Sequence, residues 1–331
     1  MVHVQRTVDD VNWLNIGLMI AACVAALVAP FHVFLLAYAV LGPLHYLTEV
    51  SWLHDREYFT PRRRARRAWL ALVALSVSAL AYGYVSETFL QHQVSPTFEI
   101  GTVYLVIAGA VLAARVQHPV NAVALLVLVT VALVLFSRSP VYAVAAYLLV
   151  TIVHVLLFTA VFVLVGAVKT RNRIGVLSLL VFAGCIFTTL VYPRSFAPAT
   201  PPVRDLYATF EQLNIQLLSL FGGQSAGAYE PSSIGVMRLI AFAYLYHYLN
   251  WFSKTSIIRW HEVSRGRVWA VILLWLGGLA VYVVDYRAGF ALFYVLSLAH
   301  VLLEFPLNHR TFAELARLTR RDNWRRPTVA G

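Results

Sequence analysis

Apolar residues fill most of this chain in runs of about 20, the length that a helix needs to cross ~30 Å of hydrocarbon. Short charged or turn-forming segments separate the runs, and Pro30, Pro119 and Pro140 lie at their edges. The pattern predicts ten transmembrane helices, over residues 11–29, 31–53, 68–86, 99–115, 119–136, 140–168, 174–192, 233–252, 268–285 and 289–307. Two of these runs are short, so nine spans or a re-entrant segment are alternatives. We expect an all-α, polytopic membrane helix bundle that forms a single domain over residues 1–331.

The composition agrees with a membrane protein. Of the 331 residues, 60% are hydrophobic and 12% are charged, and the mean hydropathy is +0.73. A soluble domain has about twice that charged fraction. Cys23 and Cys185 lie singly inside apolar runs, which predicts small core residues and excludes a disulfide framework or a thiolate metal site. No small-residue cleavage site follows the N-terminal segment, so no signal peptide is expected.

The distribution of basic residues predicts the orientation. With the N-terminus inside, 21 of the 26 Lys and Arg residues fall in inner segments, including a basic tail at 308–331. Inner loops carry such an excess, so we expect both termini in the cytoplasm of a bacterial-type inner membrane. The net charge of +11 is spread over all inner loops, without a basic motif interleaved with aromatic residues. The sequence therefore predicts no nucleic-acid partner. It predicts no particular oligomeric state.

One outer loop, residues 193–232, is long. It begins with four prolines, and residues 203–221 then place leucines and Phe210 at helical spacing opposite charged residues. That spacing is typical of an amphipathic helix on the outer surface of the membrane. An ordinary packed loop is the alternative.

Two segments far apart in the chain share the spacing H-x3-E-x4-H. One is Gly42-Pro43-Leu44-His45 followed by Glu49 and His54, and the other is His300, Glu304 and His309. Residues four apart lie on one face of a helix, so each segment can present an imidazole beside a carboxylate. The third histidine is about half a turn away from that face. Ionisable groups inside membrane segments are costly and indicate function.

Four histidines are predicted at a similar depth in the inner half of the membrane: His45, His154, His247 and His300. They come from four different helices and can meet at one point. Imidazoles from several helices suit iron, zinc or copper, and Glu49 and Glu304 can join the metal or accept from its histidines. We predict a metal site of these six residues, with Glu49 and Glu304 in the catalytic role. A proton or ion relay and two unrelated polar pairs are the alternatives.

Aromatic and basic residues near His247 are candidates for binding substrate. Tyr244, Tyr248 and Trp251 can line a pocket for a long apolar molecule or belong to the interfacial aromatic belt, and Lys254 can hold an anionic head group. His54, His261 and His309 lie at the predicted cytoplasmic border, where a solvated histidine is ordinary.

The segment Gly42-Pro43-Leu44-His45, with Glu49 four residues on, resembles the membrane β-carotene-cleaving oxygenases of the Brp/Blh type. The resemblance implies a helical bundle that holds one iron by histidines from different helices, with His45 as a ligand and Glu49 as its outer partner. We therefore expect an iron-dependent oxygenase, with zinc or copper as other metals, that acts on a carotenoid, an acyl chain or another apolar membrane molecule. A proton- or metal-coupled transporter and an intramembrane acyltransferase are the other functions that the sequence allows.

Overall fold

The computed structural model describes residues 2–90, 96–115, 151–192, 200–211, 215, 217, 218, 233–254 and 262–320. These residues form helices and connecting turns without any strand, so the all-α prediction is confirmed for them. The α-helices are α1 (Val2–Val28), α2 (Pro30–Leu36), α3 (Gly42–Asp55), α4 (Arg63–Leu90), α5 (Pro96–Arg115), α6 (Thr159–Thr170), α7 (Arg173–Val191), α8 (Pro201–Tyr207), α9 (Ile234–Ser253), α10 (Arg265–Val284) and α11 (Tyr286–Arg320).

Within the described residues, six helical stretches are long and apolar enough to cross a membrane. They are Val8–Val28, Pro30–Asp55, Arg63–Gly83, Arg173–Val191, Arg265–Val284 and Tyr286–Thr319. The chain is therefore a multi-pass membrane protein. The predicted spans 99–115 and 233–252 correspond to α5 and α9, which fall outside this set of six. The predicted span 119–136 and the first part of 140–168 lie outside the described residues.

The core lies between α1, α2, α7 and α9, where α1 packs against both α7 and α9. Cys23 of α1 and Cys185 of α7 meet there as buried free thiols, which confirms the prediction that they are core residues. Each thiol reaches a backbone carbonyl of the neighbouring helix, at 3.9 Å for Cys23 and 3.8 Å for Cys185. Large apolar side chains such as Val283 and Val284 are exposed on the outside, as a bilayer requires.

Two short π-helical segments interrupt the α-helices. The first, Ala37–Leu41, joins α2 to α3, and the second, His154–Phe158, leads into α6. A π turn accommodates a residue that cannot continue the i→i+4 hydrogen bonds, and Pro43, which has no N–H, lies two residues after the first segment. Trp275 of α10 donates from Nε1 to the carbonyl of Val40 at 2.9 Å. π turns occur often at functional sites. The first of these ends four residues before His45, and the second begins at His154.

Contacts between helix termini define one end of the bundle, which we call the basic end. Arg267 at the start of α10 pairs with Asp55 at the end of α3 (2.6 Å), and Lys169 near the end of α6 pairs with Glu314 of α11 (3.3 Å). Ser253 at the end of α9 donates to Asn15 of α1 at 3.1 Å. Lys254 follows directly. These helix ends lie together, as the predicted cytoplasmic loops require.

Between α3 and α4, at the basic end, three consecutive residues adopt left-handed backbone angles: Glu57, Tyr58 and Phe59, with φ of 52°, 53° and 55°. A left-handed conformation costs roughly 1–2 kcal/mol for a residue with a Cβ. Burial of the Tyr58 ring and the Arg66–Glu57 ion pair at 2.8 Å offset part of that cost.

The predicted outer loop packs against the bundle where it is described. Tyr207 at the end of α8 is fully buried against Phe31 and Phe34, and Phe210, Leu217 and Leu218 are buried in the same core. The apolar side of this segment therefore faces helix α2, which agrees with the packed-loop alternative for these residues.

Helix α11 runs through Pro306 to Arg320. The predicted last span ended at residue 307, so residues 308–320 of the predicted basic tail continue the helix, and 321–331 lie outside the described residues. From this continuous helix, Glu304 contacts His154 and Glu314 contacts Lys169, while Asn308 bonds to Glu304 within the helix.

Candidate metal centre

The glycine and proline before His45 set the shape of this part of the site. Pro43 lies in the first turn of α3, where a missing N–H is tolerated. A side chain on Gly42 would come within 3.0 Å of Tyr46 Oη and 3.2 Å of Tyr248 Oη. Those two hydroxyl groups form a 2.7 Å hydrogen bond beside it. Gly42 thus leaves room for a tyrosine pair that joins α3 to α9.

Three of the four predicted histidine ligands form a compact group. Ligand atoms of His45, His247 and His300, from α3, α9 and α11, all lie within 4.8 Å of one another. The Nε2 atoms of His45 and His247 are 3.1 Å apart. The ring centroids of His45 and His300 are 5.3 Å apart. His45 and His300 are buried and His247 is half-buried.

The fourth predicted ligand, His154, lies beside this group at the first residue of the second π segment. Its ring centroid is 5.6 Å from that of His247 and 5.8 Å from that of His300. The imidazole is 2% exposed. The structure therefore brings four histidines from four helical segments together in one buried cluster.

A hydrogen bond to Thr159 orients the His247 ring. Thr159 Oγ1 lies 3.1 Å from His247 Nδ1. When Nδ1 donates its hydrogen to this hydroxyl, Nε2 keeps a lone pair that points at His45. Metal-bound histidines use a partner of this kind to fix the tautomer and the ring orientation. Sequence reasoning missed Thr159; its only signal was a hydroxyl five residues after His154 in an apolar run.

The spacing of the nitrogens fits a shared ion. Two nitrogen ligands ~2.0–2.1 Å from one ion are themselves about 2.8–3.4 Å apart at octahedral to tetrahedral angles. The 3.1 Å between His45 Nε2 and His247 Nε2 falls in this range. His45 Nδ1 is buried and has no hydrogen-bond partner among the described residues. No protein acceptor at Nδ1 therefore fixes the tautomer of this ring. The chemistry of the donor set, imidazole with carboxylate, suits iron, zinc or copper.

Glu49 lies on the ligand side of His45. Its Oε2 is 3.0 Å from His45 Nε2, the same nitrogen that faces His247. A carboxylate that only supports a metal-bound imidazole contacts the other ring nitrogen instead. Glu49 is 2% exposed and lines a cavity. Of the two roles that the sequence left open for it, this geometry favours direct binding of the ion.

Glu304 pairs with a different histidine from the one that its spacing suggests. Its Oε2 lies 3.4 Å from His154 Nε2 and accepts a hydrogen bond from Asn308 Nδ2 at 3.3 Å. The partner is therefore on another helix, and not His300 one turn earlier in α11. The carboxyl groups of Glu304 and Glu49 also contact each other. The two predicted carboxylates thus link His45 to His154, through Glu49 and Glu304.

Aromatic side chains form a wall behind the histidines. Tyr46 stacks on His300 with 4.2 Å between ring centroids and 23° between ring planes. Tyr248 is 5.1 Å from His45 and hydrogen-bonded to Tyr46. Tyr244 packs edge-on against Phe34 in the core at 5.3 Å. Of the predicted substrate residues, Tyr244 and Tyr248 therefore support the centre from the core side.

The other two predicted substrate residues, Trp251 and Lys254, line a cavity of 410 Å³ that reaches the centre. His45, Glu49, His247 and Glu304 form part of its wall. Trp251 stands edge-on to His45 at 5.3 Å, and its Nε1 donates to Thr48 Oγ1 at 3.0 Å. Asn250, which sequence reasoning missed, also lines the cavity. Its only signal was its position three residues after His247.

The remaining histidines lie away from the cluster or outside the described residues. His54 is exposed at the basic end, where its Nδ1 is 3.4 Å from Tyr58 Oη. His309 is half-buried in α11, beyond Glu304. His261 lies outside the described residues. Comparison of this chain with protein-family models, with curated proteins and with solved structures finds no match.

Proposed function

We propose that this protein is a membrane metalloenzyme, an iron-dependent oxygenase that acts on a lipid-soluble substrate. In this proposal the chain crosses a bacterial-type inner membrane ten times, with both termini in the cytoplasm. His45, His247, His300 and Glu49 hold the metal, with His154 and Glu304 beside them. Zinc and copper are the other metals that such ligands suit.

One observation carries the proposal: His45 Nε2 lies about 3 Å from two other ligand atoms, His247 Nε2 at 3.1 Å and Glu49 Oε2 at 3.0 Å. Three metal-binding atoms from two helices meet there in a buried site. Burying such polar atoms side by side is costly unless a proton or a cation lies between them. The resemblance of Gly42–Glu49 to the Brp/Blh-type oxygenases supports iron among the candidate metals.

The chemistry divides between the metal and the protein. Iron with open coordination positions supplies activation of dioxygen when it is bound. Thr159 and the Tyr46–Tyr248 pair orient the imidazoles, and Trp251 forms the cavity wall next to His45. The cavity is largely apolar, so a bound substrate would exclude water from the centre.

The test is metal analysis of the full chain, purified without chelator, for three proteins: wild type, His45→Ala and His32→Ala. His32 is the matched control because it lies in the same helical stretch, Pro30–Asp55, but is exposed. We expect close to one iron per wild-type and His32→Ala chain and none in His45→Ala. Wild-type protein without iron, zinc or copper, or His45→Ala protein with full metal content, would contradict the proposal.

A proton- or metal-coupled transporter is the second candidate, because the contacting carboxyls of Glu49 and Glu304 both line the cavity. In a transporter, Glu49→Gln and Glu304→Gln remove groups that must gain and lose protons, and coupled flux into proteoliposomes should stop. In the enzyme, both variants should leave proton flux at the background of empty liposomes, as in the wild type. Wild-type flux of a metal ion against a proton gradient would favour the transporter.

A further inference from the structure

The cavity beside the metal centre has a polar end and an apolar body. Its polar end lies at the basic end of the bundle, where Lys254 and Asn250 of α9 meet residues of α1 and α6. Most of the remaining wall is apolar, with side chains such as Val11, Met19, Phe158 and Phe162. This arrangement suits a ligand that has one polar head and one apolar chain.

Lys254 is the cation at the polar end. It lies seven residues after His247, so it shares a face of α9 with this histidine at a distance of about 10 Å along the helix axis. Among the described residues it has no ion-pair partner, and it is half-buried. Partial burial lowers its pKa to about 8, which leaves the side chain mainly protonated at neutral pH. A bound anion would offset the desolvation of this charge.

Asn250 is a second polar group at this end of the cavity. It lines the cavity one turn before Lys254, on the same face of α9, and is 8% exposed. Its Oδ1 is buried without a hydrogen-bond partner among the described residues. Two other polar residues of the wall bond within the protein: Asn15 bonds to Val11 and Ser253, and Ser178 bonds to the Ile174 carbonyl. A buried amide oxygen costs free energy unless a donor bonds to it, and the Lys254 ammonium one turn away can supply that donor.

We propose that this cavity binds a single-chain amphiphile with a carboxylate head group, such as a long-chain fatty acid. The carboxylate lies against Lys254, whose ammonium has three donors and can bond to the carboxylate and to Asn250 Oδ1 together. The chain extends along the apolar wall towards His45 and Glu49. The inference deepens the proposed function. It rests on that function in one respect: the bound molecule is the substrate of the metal centre.

The charge and the volume of the cavity select this class of ligand. One lysine matches a carboxylate of one negative charge, whereas phosphate groups are typically bound by several charged donors, often arginines. A hydrocarbon such as a carotenoid would leave the Lys254 ammonium without an anionic partner. The volume of 410 Å³ is near the lower end of the ~300–1,000 Å³ that is usual for small-molecule sites. It therefore favours one chain over the two of a phospholipid.

The experiment measures binding of cis-parinaric acid, a fluorescent fatty acid, and of its methyl ester to the purified full chain. The ester has the same chain but no charge. A charged hydrogen bond contributes ~1.5–3 kcal/mol, so we expect the wild type to bind the acid about 10–100-fold more tightly than the ester. Lys254→Met should remove this preference, because affinity for the acid falls while affinity for the ester stays within about twofold. Lys254→Arg should retain the preference.

Lys169→Met is the matched control, because Lys169 is at the same end of the bundle but pairs with Glu314 outside the cavity wall. It should change neither affinity. Equal wild-type affinities for acid and ester would overturn the inference, and so would a Lys254→Met protein that keeps the preference for the acid.

Metal content measured on the same preparations separates this inference from the proposed function. A metal-free wild type with Lys254-dependent binding of the acid would leave the ligand inference standing and contradict the metalloenzyme. A wild type that holds iron and binds acid and ester equally would contradict the ligand inference and leave the metalloenzyme standing. His45→Ala should lose the metal and still prefer the acid, because its change lies at the far end of the cavity.

Discussion

The two H-x3-E segments have the same spacing and form different contacts. In α3, Glu49 reaches its own helix partner, His45, at 3.0 Å. In α11, Glu304 lies 3.4 Å from His154, which belongs to another helical segment. The spacing places imidazole and carboxylate on one face of each helix. The neighbours on that face then determine which groups pair.

Differences in the flanking residues account for the two outcomes. In the first segment Gly42 and Pro43 precede the histidine, and the π turn before them places His45 next to His247. The position that corresponds to Gly42 in the second segment is Ser297, whose side chain interacts with Tyr46. Tyr46 in turn covers the face of His300. We infer that the first segment provides both a nitrogen and a carboxylate to the ion, and the second provides the nitrogen alone.

The largest expected effect comes from removing the nitrogen of either segment. His45→Ala and His300→Ala should each abolish metal binding in the purified protein, because each removes one of the three clustered imidazoles. Metal content by elemental analysis is the measurement, and a monodisperse elution profile in detergent checks the fold. If His300→Ala retains full metal while His45→Ala loses it, the second segment contributes nothing to the ion and the comparison fails.

The two carboxylates should differ under the same substitution. Glu49→Gln removes a charge beside His45 Nε2. Loss of a group that only supports a metal ligand lowers metal affinity ~10–100-fold, so we expect a fall of at least that size. Glu304→Gln keeps an oxygen that can contact His154 and Asn308, so the loss should be less than ~10-fold. Competition with a chelator of known affinity measures both. Equal losses would show that the two segments act alike.

Much of the fold could be predicted from hydrophobic patterning, because a membrane helix needs an apolar run of about 20 residues. The stretches Val8–Val28 and Arg173–Val191 agree with spans predicted over 11–29 and 174–192. Helix α9 was predicted although polar residues such as Arg238, His247 and Asn250 weaken its apolar signal. The end of α11 was not predicted, since Pro306 and the basic residues after it are typical of a helix stop.

The meeting of four histidines could be predicted from depth, because a buried imidazole in a membrane needs a partner at its own level. Their pairing could not. Whether Glu304 faces His300 or His154 depends on how α11 is rotated against the π segment at His154, and sequence periodicity does not report on that. The roles of Thr159 and Asn250 were not predicted, because single polar residues in apolar helices most often bond to their own backbone.

A smaller effect is expected at Gly42, the residue that distinguishes the first segment from the second. In Gly42→Ala the new methyl group would meet the Tyr46 and Tyr248 hydroxyls at 3.0 and 3.2 Å, so the pair must shift by a few tenths of an ångström. Overpacking of this kind typically costs ~1–3 kcal/mol. We expect a lower thermal unfolding midpoint in detergent and a modest loss of metal affinity. Gly184→Ala in α7 is the control: a side chain there meets nothing within 4 Å, and alanine favours a helix by ~1 kcal/mol.

The smallest effect is expected at the third histidine of each segment. His54 and His309 follow the glutamates by five residues, about half a turn off the face that carries the imidazole and the carboxylate. His54 is exposed at the basic end beside Tyr58. Substitutions at exposed positions usually change stability by less than about 0.5 kcal/mol. We therefore expect His54→Ala and His309→Ala to keep full metal content, with His54→Ala unfolding at the wild-type temperature.

Loss of metal in either variant would mean that H-x3-E-x4-H acts as one three-ligand unit. The separation of each segment into a binding pair and a peripheral histidine would then have to be given up.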